Sequence, residues 1–401
     1  MTVNLAYRQD VVDLAQRTEE FVTSTVLPVE DRYHGDISAA GGDTIRRELQ
    51  DAAKAAGVFA PHAPVEYGGL GLNMSDRAPV FEAAGYSVFG PTALNIAAPD
   101  EGNVHLLAHV ASPTQRAEFL APLATGAVRS AFAMTEPAPG AGSDPAALRT
   151  RAEWTGDRWR ITGQKWFITG ADGAAFFIVM ARTSGEPGQR GGATMFLVPA
   201  ETPGLSVGRH IGTLDHSMLG GHCEVALNDV LVGEDAILGE VDQGFSYAQV
   251  RLGPARMTHV MRWLGAARRA HDVALDYVAN REAFGSRLGD LGMIQQMVAD
   301  NEIDIAATRA LLVRACWELD QGDTAAESTS IAKTFAAEAI YRIVDRSVQM
   351  CGGLGVSDDL PIARLLREVR PFRIYDGPSE VHRWALAKRR VRAARSAAQS
   401  R

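Results

Sequence analysis

The sequence predicts a multidomain α+β protein in three parts: an N-terminal all-α domain (1–128), a middle β-barrel or sandwich domain (129–245) and a C-terminal four-helix-bundle-like domain (246–401). Three observations predict it. Apolar residues recur at helical spacing up to about residue 128. They then alternate, or run in short β-branched and aromatic blocks, up to about 245. Beyond that, helical spacing returns over longer stretches.

In the first part, Leu14, Thr18, Phe21 and Val22 share one stripe, and Ile45, Leu49, Ala52 and Ala53 another. Gly and Pro clusters such as Pro64-Val65-Glu66-Tyr67-Gly68-Gly69 separate the helices. In the second part, Trp159 and Ile161, then Trp166 and Ile168, alternate around Thr162-Gly163. Phe176 to Met180, Thr194 to Val198 and Cys223 to Leu227 read as short strands. In the third part, Val298, Ile305, Leu312 and Leu319 recur every seven residues, and Ile340, Val344 and Val348 form a second stripe. Long helices with one apolar seam pack as bundles. The residues from Ala393 onward read as frayed.

The 401 residues carry a formal net charge of −8, which argues against a nucleic-acid binder or an anionic-membrane binder. The basic stretch Lys388 to Arg395 is a local exception and reads as a solvated or inter-subunit surface. No run reaches the roughly 18 apolar residues of a membrane span. The three cysteines, Cys223, Cys316 and Cys351, are far apart and lack C-x-x-C spacing. Disulfides and structural zinc are not expected, and a reducing compartment fits. Met1 to Val12 has no continuous apolar core and does not read as a signal peptide, so the expected location is cytoplasmic.

Four clusters could carry chemistry. Met134-Thr135-Glu136-Pro137-Ala138-Pro139-Gly140-Ala141-Gly142-Ser143-Asp144 offers backbone N–H groups and a hydroxyl to an anion. It is equally what a tight turn between a helix and the first strand looks like. Gly163-Gln164-Lys165-Trp166-Phe167-Ile168-Thr169-Gly170 reads as a half-buried hairpin strand ending in a hydroxyl. Gln349-Met350-Cys351-Gly352-Gly353-Leu354-Gly355 follows a helix and lacks the G-x-G-x-x-G spacing, so a helix cap is the plain reading. In Arg373-Ile374-Tyr375-Asp376-Gly377-Pro378-Ser379-Glu380-Val381-His382-Arg383, Asp376 sits at a turn, where an Asp is usually a cap. His216, His222 and Glu224 raise a metal site only weakly.

These clusters, in this order within a helical–β–helical chain, resemble the acyl-CoA dehydrogenase family from about residue 10 to 392. Pro64 to Leu72 and Arg281-Glu282-Ala283-Phe284-Gly285, similar to the family's R-x-x-F-G, add to the resemblance. It implies an FAD enzyme that desaturates an acyl-CoA between Cα and Cβ and passes electrons to an electron-transfer flavoprotein. It implies that Met134, Thr135, Gly142 and Ser143 lie along the flavin and its phosphate, with Ser379 also on the cofactor side. Phe167 and Thr169 would flank the ring, with Thr169 near N5. Arg281 and the segment from Gln349 through Gly352 and Gly353 would reach the dinucleotide of a neighbouring subunit, which implies a homo-oligomer, dimer or tetramer. Asp376 stands at the family's catalytic carboxylate, and Ser143, Arg256 and Gly377 at substrate-side positions.

The chain departs from the family pattern in three places. Two extra residues enter the phosphate loop around Ala138-Pro139. Asp replaces the usual Glu as the base, and the Gln that usually follows R-x-x-F-G is replaced near Gly292. With Ala98-Pro99-Asp100-Glu101-Gly102-Asn103, these features are similar to the acyl-CoA dehydrogenase 10/11-like branch. Two other functions stay open: a nitroalkane oxidase or flavin N-hydroxylase on the same fold, and a non-catalytic acyl-CoA-binding scaffold.

Overall fold

The structure is a computed structural model, and it describes residues 7–399. The expectation for Met1 to Val12 therefore lies partly outside the described residues. In chain order the main helices are α1 (Gln9–Phe21), α2 (Leu27–Arg32), α3 (Asp43–Ala55), α4 (Met74–Ala84), α5 (Asp100–Val110), α6 (Gly244–Asn280), α7 (Gly292–Asp320), α8 (Ala326–Cys351), α9 (Ile362–Val369) and α10 (Ser379–Gln399). The strands are β1 (Ser130–Ala133), β2 (Arg151–Trp154), β3 (Trp159–Thr169), β4 (Phe176–Arg182), β5 (Ala193–Pro199), β6 (Leu205–His210), β7 (His222–Val232) and β8 (Ile237–Leu238). Packing groups them into two units that interleave along the chain.

The helical unit comprises residues 1–35, 73–91 and 253–401. Polar ties explain why early helices join the late bundle. Glu30 on α2 is fully buried and accepts hydrogen bonds from the Val88 N–H (2.9 Å) and from Arg269 Nη1 (2.6 Å). The N–H groups of Met74 and Ser75, orphaned at the start of α4, donate to the Asp320 carboxylate at 2.7 and 2.9 Å. Such pairing is what allows charge inside a bundle. The expected seam on α7 is only half apolar: Ile305 and Leu312 are buried, but so are Asn301 and Asp304. Asp304 is held by Arg342 and Arg346 of α8 at 2.6 and 2.8 Å. α10 stays helical through Gln399, so the fraying expected from Ala393 is corrected. The Ala- and Arg-rich sequence there is intrinsically helix-forming.

The mixed unit comprises residues 36–72 and 92–252. Its sheet runs β6-β7-β3-β2-β4-β5-β8, with β1 beside β4. Of the barrel or sandwich expected, the closed barrel is not formed: the path has two ends, β6 and β8. β1 and β2 pair with β4 in parallel, and the other neighbours are antiparallel. β4 is buried along its whole length, which is why its sequence is apolar from Phe176 to Ala181, and its closing Arg182 is buried against backbone carbonyls such as that of Leu148 (3.0 Å). Ile161, Ile168, Phe177, Val179, Phe196 and Val225 belong to its core.

β3 is one long, half-buried strand that forms an antiparallel hairpin with β2, as expected. Gly163 marks a close approach: a Cβ there would lie 2.4 Å from Thr150 Oγ1. Ile161 and Ile168 are seven residues apart and both buried, which strict alternation forbids. A bulge resolves this. Between Lys165 and Ile168, β3 advances three residues while β7 advances two, from Val225 to Cys223. Phe167 takes φ +51° there and stays 44% exposed between half-buried Trp166 and buried Ile168.

Candidate active site

In the mixed unit, the loop after β1 hangs on one buried ion pair. Glu136 accepts from the backbone N–H groups of Ala141 (3.2 Å), Arg149 (2.7 Å) and Thr150 (2.8 Å), and from Lys165 Nζ (2.9 Å). Lys165 also donates to the carbonyls of Met134 (3.1 Å) and Met180 (2.7 Å). Burial pushes the Lys165 ammonium down to about 8, against the pull of Glu136. Burial would raise Glu136, but Lys165 and the hydrogen bonds from Thr150 outweigh it and hold the carboxyl below its ordinary value. The loop follows the first strand and does not precede it, so the helix-to-strand turn is corrected.

Met134 and Thr135 are half-buried at the root of this loop, and the Thr135 carbonyl accepts from the Trp166 N–H at 3.1 Å. Gly142 and Ser143 are exposed at its tip, and a Cβ at Gly142 would meet nothing within 4 Å. On β3, Thr169 Oγ1 lies 2.9 Å from His222 Nδ1, and His222 Nε2 lies 2.9 Å from Asp215 Oδ2. Burial works to raise Asp215, and the His222 hydrogen bond more than offsets it, so the carboxyl sits below its ordinary value. His222 is therefore engaged by Thr169 and Asp215, while Glu224 pairs with Arg209 at 2.6 Å. An open, N–H-bearing loop and an exposed ring beside a held hydroxyl fit a flavin and its phosphates.

In the helical unit, Asp376 sits at a turn between the helical segment ending at Arg373 and α10, with φ +54°, followed by Gly377 at +96°. Both residues are in the left-handed region, and the turn is held from three helices. The Asp376 carbonyl accepts from Arg256 Nε (3.0 Å, α6) and His382 Nε2 (3.2 Å, α10). The Gly377 carbonyl accepts from Lys333 Nζ (2.7 Å, α8). Asp376 Oδ2 is buried without a hydrogen bond among the described residues, and His259 Nε2 lies 3.3 Å from it. Burial pushes Lys333 down to about 8. Burial, then the charges of Arg256 and Lys333, push His382 down to about 4, so it is neutral near pH 7.

Arg256, Asp376 and Gly377 are thus brought together, and Ser379 follows as the buried first residue of α10. Arg281, Gln349, Gly352 and Gly353 are exposed, in the same unit but outside that cluster of contacts. Sequence reasoning missed His259, Lys333 and His382. One signal was available: Arg256, His259 and Arg262 are spaced three residues apart and so share a helix face. Lys333 inside an Ala-rich apolar stretch was another.

Three family models cover most of the chain: acyl-CoA dehydrogenase N-terminal domain (9–127), middle domain (131–230) and C-terminal domain (242–391). These matches define a flavin-dependent oxidoreductase. The chain belongs to the acyl-CoA dehydrogenase family. It is 37% identical over 396 residues to the Mycobacterium tuberculosis protein named "Probable acyl-CoA dehydrogenase FadE2", covering 96% of each chain. It is 33% identical over 392 residues to acyl-CoA dehydrogenase family member 11 of Rattus norvegicus, covering 94% of this chain but spanning about half (50%) of that protein. Butyryl-CoA dehydrogenase of Megasphaera elsdenii superposes with a TM-score of 0.85 at 26% identity, covering 98% of this chain and 100% of that one.

Proposed function

We propose that the protein oxidises a saturated acyl-CoA to the α,β-unsaturated thioester with FAD, Asp376 acting as the base. The observation that carries this is a carboxylate fixed on a strained turn whose two carbonyls are tied by Arg256, His382 and Lys333. A base must be held still to reach a weakly acidic Cα–H, because a ~1 Å error is costly. Asp is one methylene shorter than Glu, so its reach depends on the backbone, and the backbone is what these donors hold.

The Cα–H bond breaks and its proton goes to Asp376. The electron pair left behind forms the double bond as hydride leaves Cβ. When bound, the flavin supplies the hydride acceptor. With the carbonyls of Asp376 and Gly377 occupied by donors, the backbone N–H groups of this turn are the groups left to stabilise charge developing on the thioester oxygen. Met134, Thr135, Gly142, Ser143, Phe167 and Thr169 are the proposed FAD contacts in the mixed unit. Ser143, Arg256 and Gly377 are the proposed substrate contacts.

We further propose a homo-oligomer in which Arg281, Gln349, Gly352, Gly353 and Ser379 complete the cofactor site, and an electron-transfer flavoprotein as acceptor. The 93% exposed Phe284, in the hairpin after Arg281, supports the oligomer, because so large an apolar side chain is expected to be covered. The three-domain division at 128/129 and 245/246 is proposed as the modular organisation. No helix among the described residues is long and apolar enough to cross a membrane. Cytoplasmic action is proposed on the three free, buried cysteines.

Anaerobic addition of butyryl-, octanoyl- and palmitoyl-CoA tests the reading. One or more bleaches the oxidised flavin band. If no thioester does, while nitroalkanes or amines consume O₂, the reading fails in favour of another reaction on this fold.

A further inference from the structure

Among the described residues, His259 is the ionisable side chain that forms an ion-pair contact with the Asp376 carboxylate itself and not its backbone, Nε2 lying 3.3 Å from the unpaired Oδ2. Its other ring nitrogen, Nδ1, lies 3.0 Å from Arg262 Nη2. A guanidinium has only donors and stays charged at any working pH. Nδ1 must therefore be the acceptor, and the ring proton must sit on Nε2, facing Asp376. A second proton on Nδ1 would point at the guanidinium, so the ring stays neutral. The ring is also fixed in plane by Tyr375 and Phe372, at centroid distances of 4.8 and 5.9 Å.

We propose that Arg262 locks His259 as the neutral Nε2–H tautomer, and that this N–H, 3.3 Å away and not yet in hydrogen-bond geometry, tightens onto the otherwise unpaired Asp376 Oδ2 as its positioning donor in the loaded enzyme. The proposal rests on the reading of Asp376 as the base. A donor that already carries its proton cannot compete for the substrate proton, which stays on Asp376. It holds one carboxylate oxygen in place and leaves Oδ1 for the proton. The other ionisable groups around this turn are Arg256 on α6, Lys333 on α8 and His382 on α10, which reach its carbonyls, and Tyr375, whose hydroxyl accepts from Trp263 Nε1.

The test uses the purified flavin-bound protein and two readouts. Nitrogen NMR of the histidine rings, assigned by the signal lost in His259→Phe, reads the tautomer. His259 keeps a protonated Nε2 and a bare Nδ1 across about pH 6 to 9, where a free histidine would titrate. An imidazolium, or a protonated Nδ1, overturns the proposal. The second readout is the rate of flavin bleaching by the same three acyl-CoAs. His259→Phe slows it roughly 10- to 100-fold. His259→Gln, which keeps an N–H donor, recovers most of the rate. An unchanged bleaching rate in His259→Phe, or a His259→Gln variant as slow as His259→Phe, overturns the proposal. Should His259→Phe fail to fold, Arg262→Met releases Nδ1, and the tautomer then becomes pH-dependent; a pH-independent ring in that variant also overturns it. If no thioester bleaches even the wild-type protein, the base reading falls, and the tautomer alone decides about His259.

Discussion

Lys333 Nζ donates to the carbonyl of Gly377 over 2.7 Å, tying a fully buried ammonium to the turn that carries Asp376. Burial lowers its pKa from 10.5 to about 8, with Asp376 working the other way. Between those values the unfolded chain binds more protons than the folded one, so the stability contribution rises with pH. Below about 8 the folded protein carries the full penalty of the buried charge. The unfolding free energy of the wild type should therefore gain on that of Lys333→Met by on the order of 3 kcal/mol between about pH 8 and 10.5. Urea unfolding of both proteins across that range measures it. A pH-independent difference would contradict the burial account.

The Glu136–Lys165 pair makes a prediction about the loop. Glu136→Gln leaves Lys165 buried without a counter-charge and weakens the acceptor shared by three backbone N–H groups. A loss of about 3–5 kcal/mol is expected, as for other broken buried pairs. Flavin retention should fall with it, because the loop carrying Gly142 and Ser143 is released. In the wild type, the contribution of Glu136 is present above the ordinary carboxylate range. It is lost as pH falls through the lower folded value. Thermal denaturation with flavin absorbance as a second signal reads both effects. A Gln variant as stable as the wild type, with full flavin, would remove the pair from this role.

The sequence was most legible where one physical demand acted alone. The stripe of α1 is buried at Leu14, Thr18 and Phe21, as the helical spacing requires. The runs at Phe176 and Thr194 are central strands whose successive residues are buried, so both of their faces are covered. It was least legible where polar groups are buried in pairs. Arg46 and Gln50 face inward on α3 because Arg46 reaches the Gly126 carbonyl at 2.7 Å, a partner 80 residues away. No periodicity can report such a partner. The Phe167 bulge was hidden for a related reason: its cause is the register of β7, not the local sequence of β3. At the candidate site, Asp376 and Arg256 were found through family resemblance. His259 and Lys333 needed the folded contacts.

The Thr169–His222–Asp215 chain predicts a selective loss. Asp215 anchors the ring through Nε2, so Nδ1 faces Thr169 and holds its hydroxyl. Removing the ring frees the hydroxyl. His222→Leu is expected to weaken flavin binding roughly tenfold, about the value of one hydrogen bond. His210→Leu is the control: it also removes a His–Asp contact on the same sheet, but His210 and Asp172 are both solvent-exposed. Surface pairs of that kind contribute little. Flavin titration of the two variants separates them. Equal losses would mean the buried chain has no special part in holding the cofactor.

Asp376 and Gly377 should fail in different ways. Asp376→Asn keeps the size and the turn but removes the basicity. Its flavin content and melting temperature should match the wild type, while bleaching by acyl-CoA drops at least about 100-fold, the low end of general-base contributions. Gly377→Ala keeps the carboxylate but disturbs its support. A Cβ there would lie 2.7 Å from His382 Nε2, and φ of +96° is unfavourable for alanine. The strain alone is worth about 1–3 kcal/mol. The substitution must displace His382 or relax the turn, and either loosens the Asp376 carbonyl from its donor. Melting temperature and bleaching rate should therefore fall together in Gly377→Ala and separate in Asp376→Asn. Calorimetry alongside stopped-flow bleaching distinguishes the two patterns. A Gly377→Ala variant with normal stability and rate would show that the turn does not position the base.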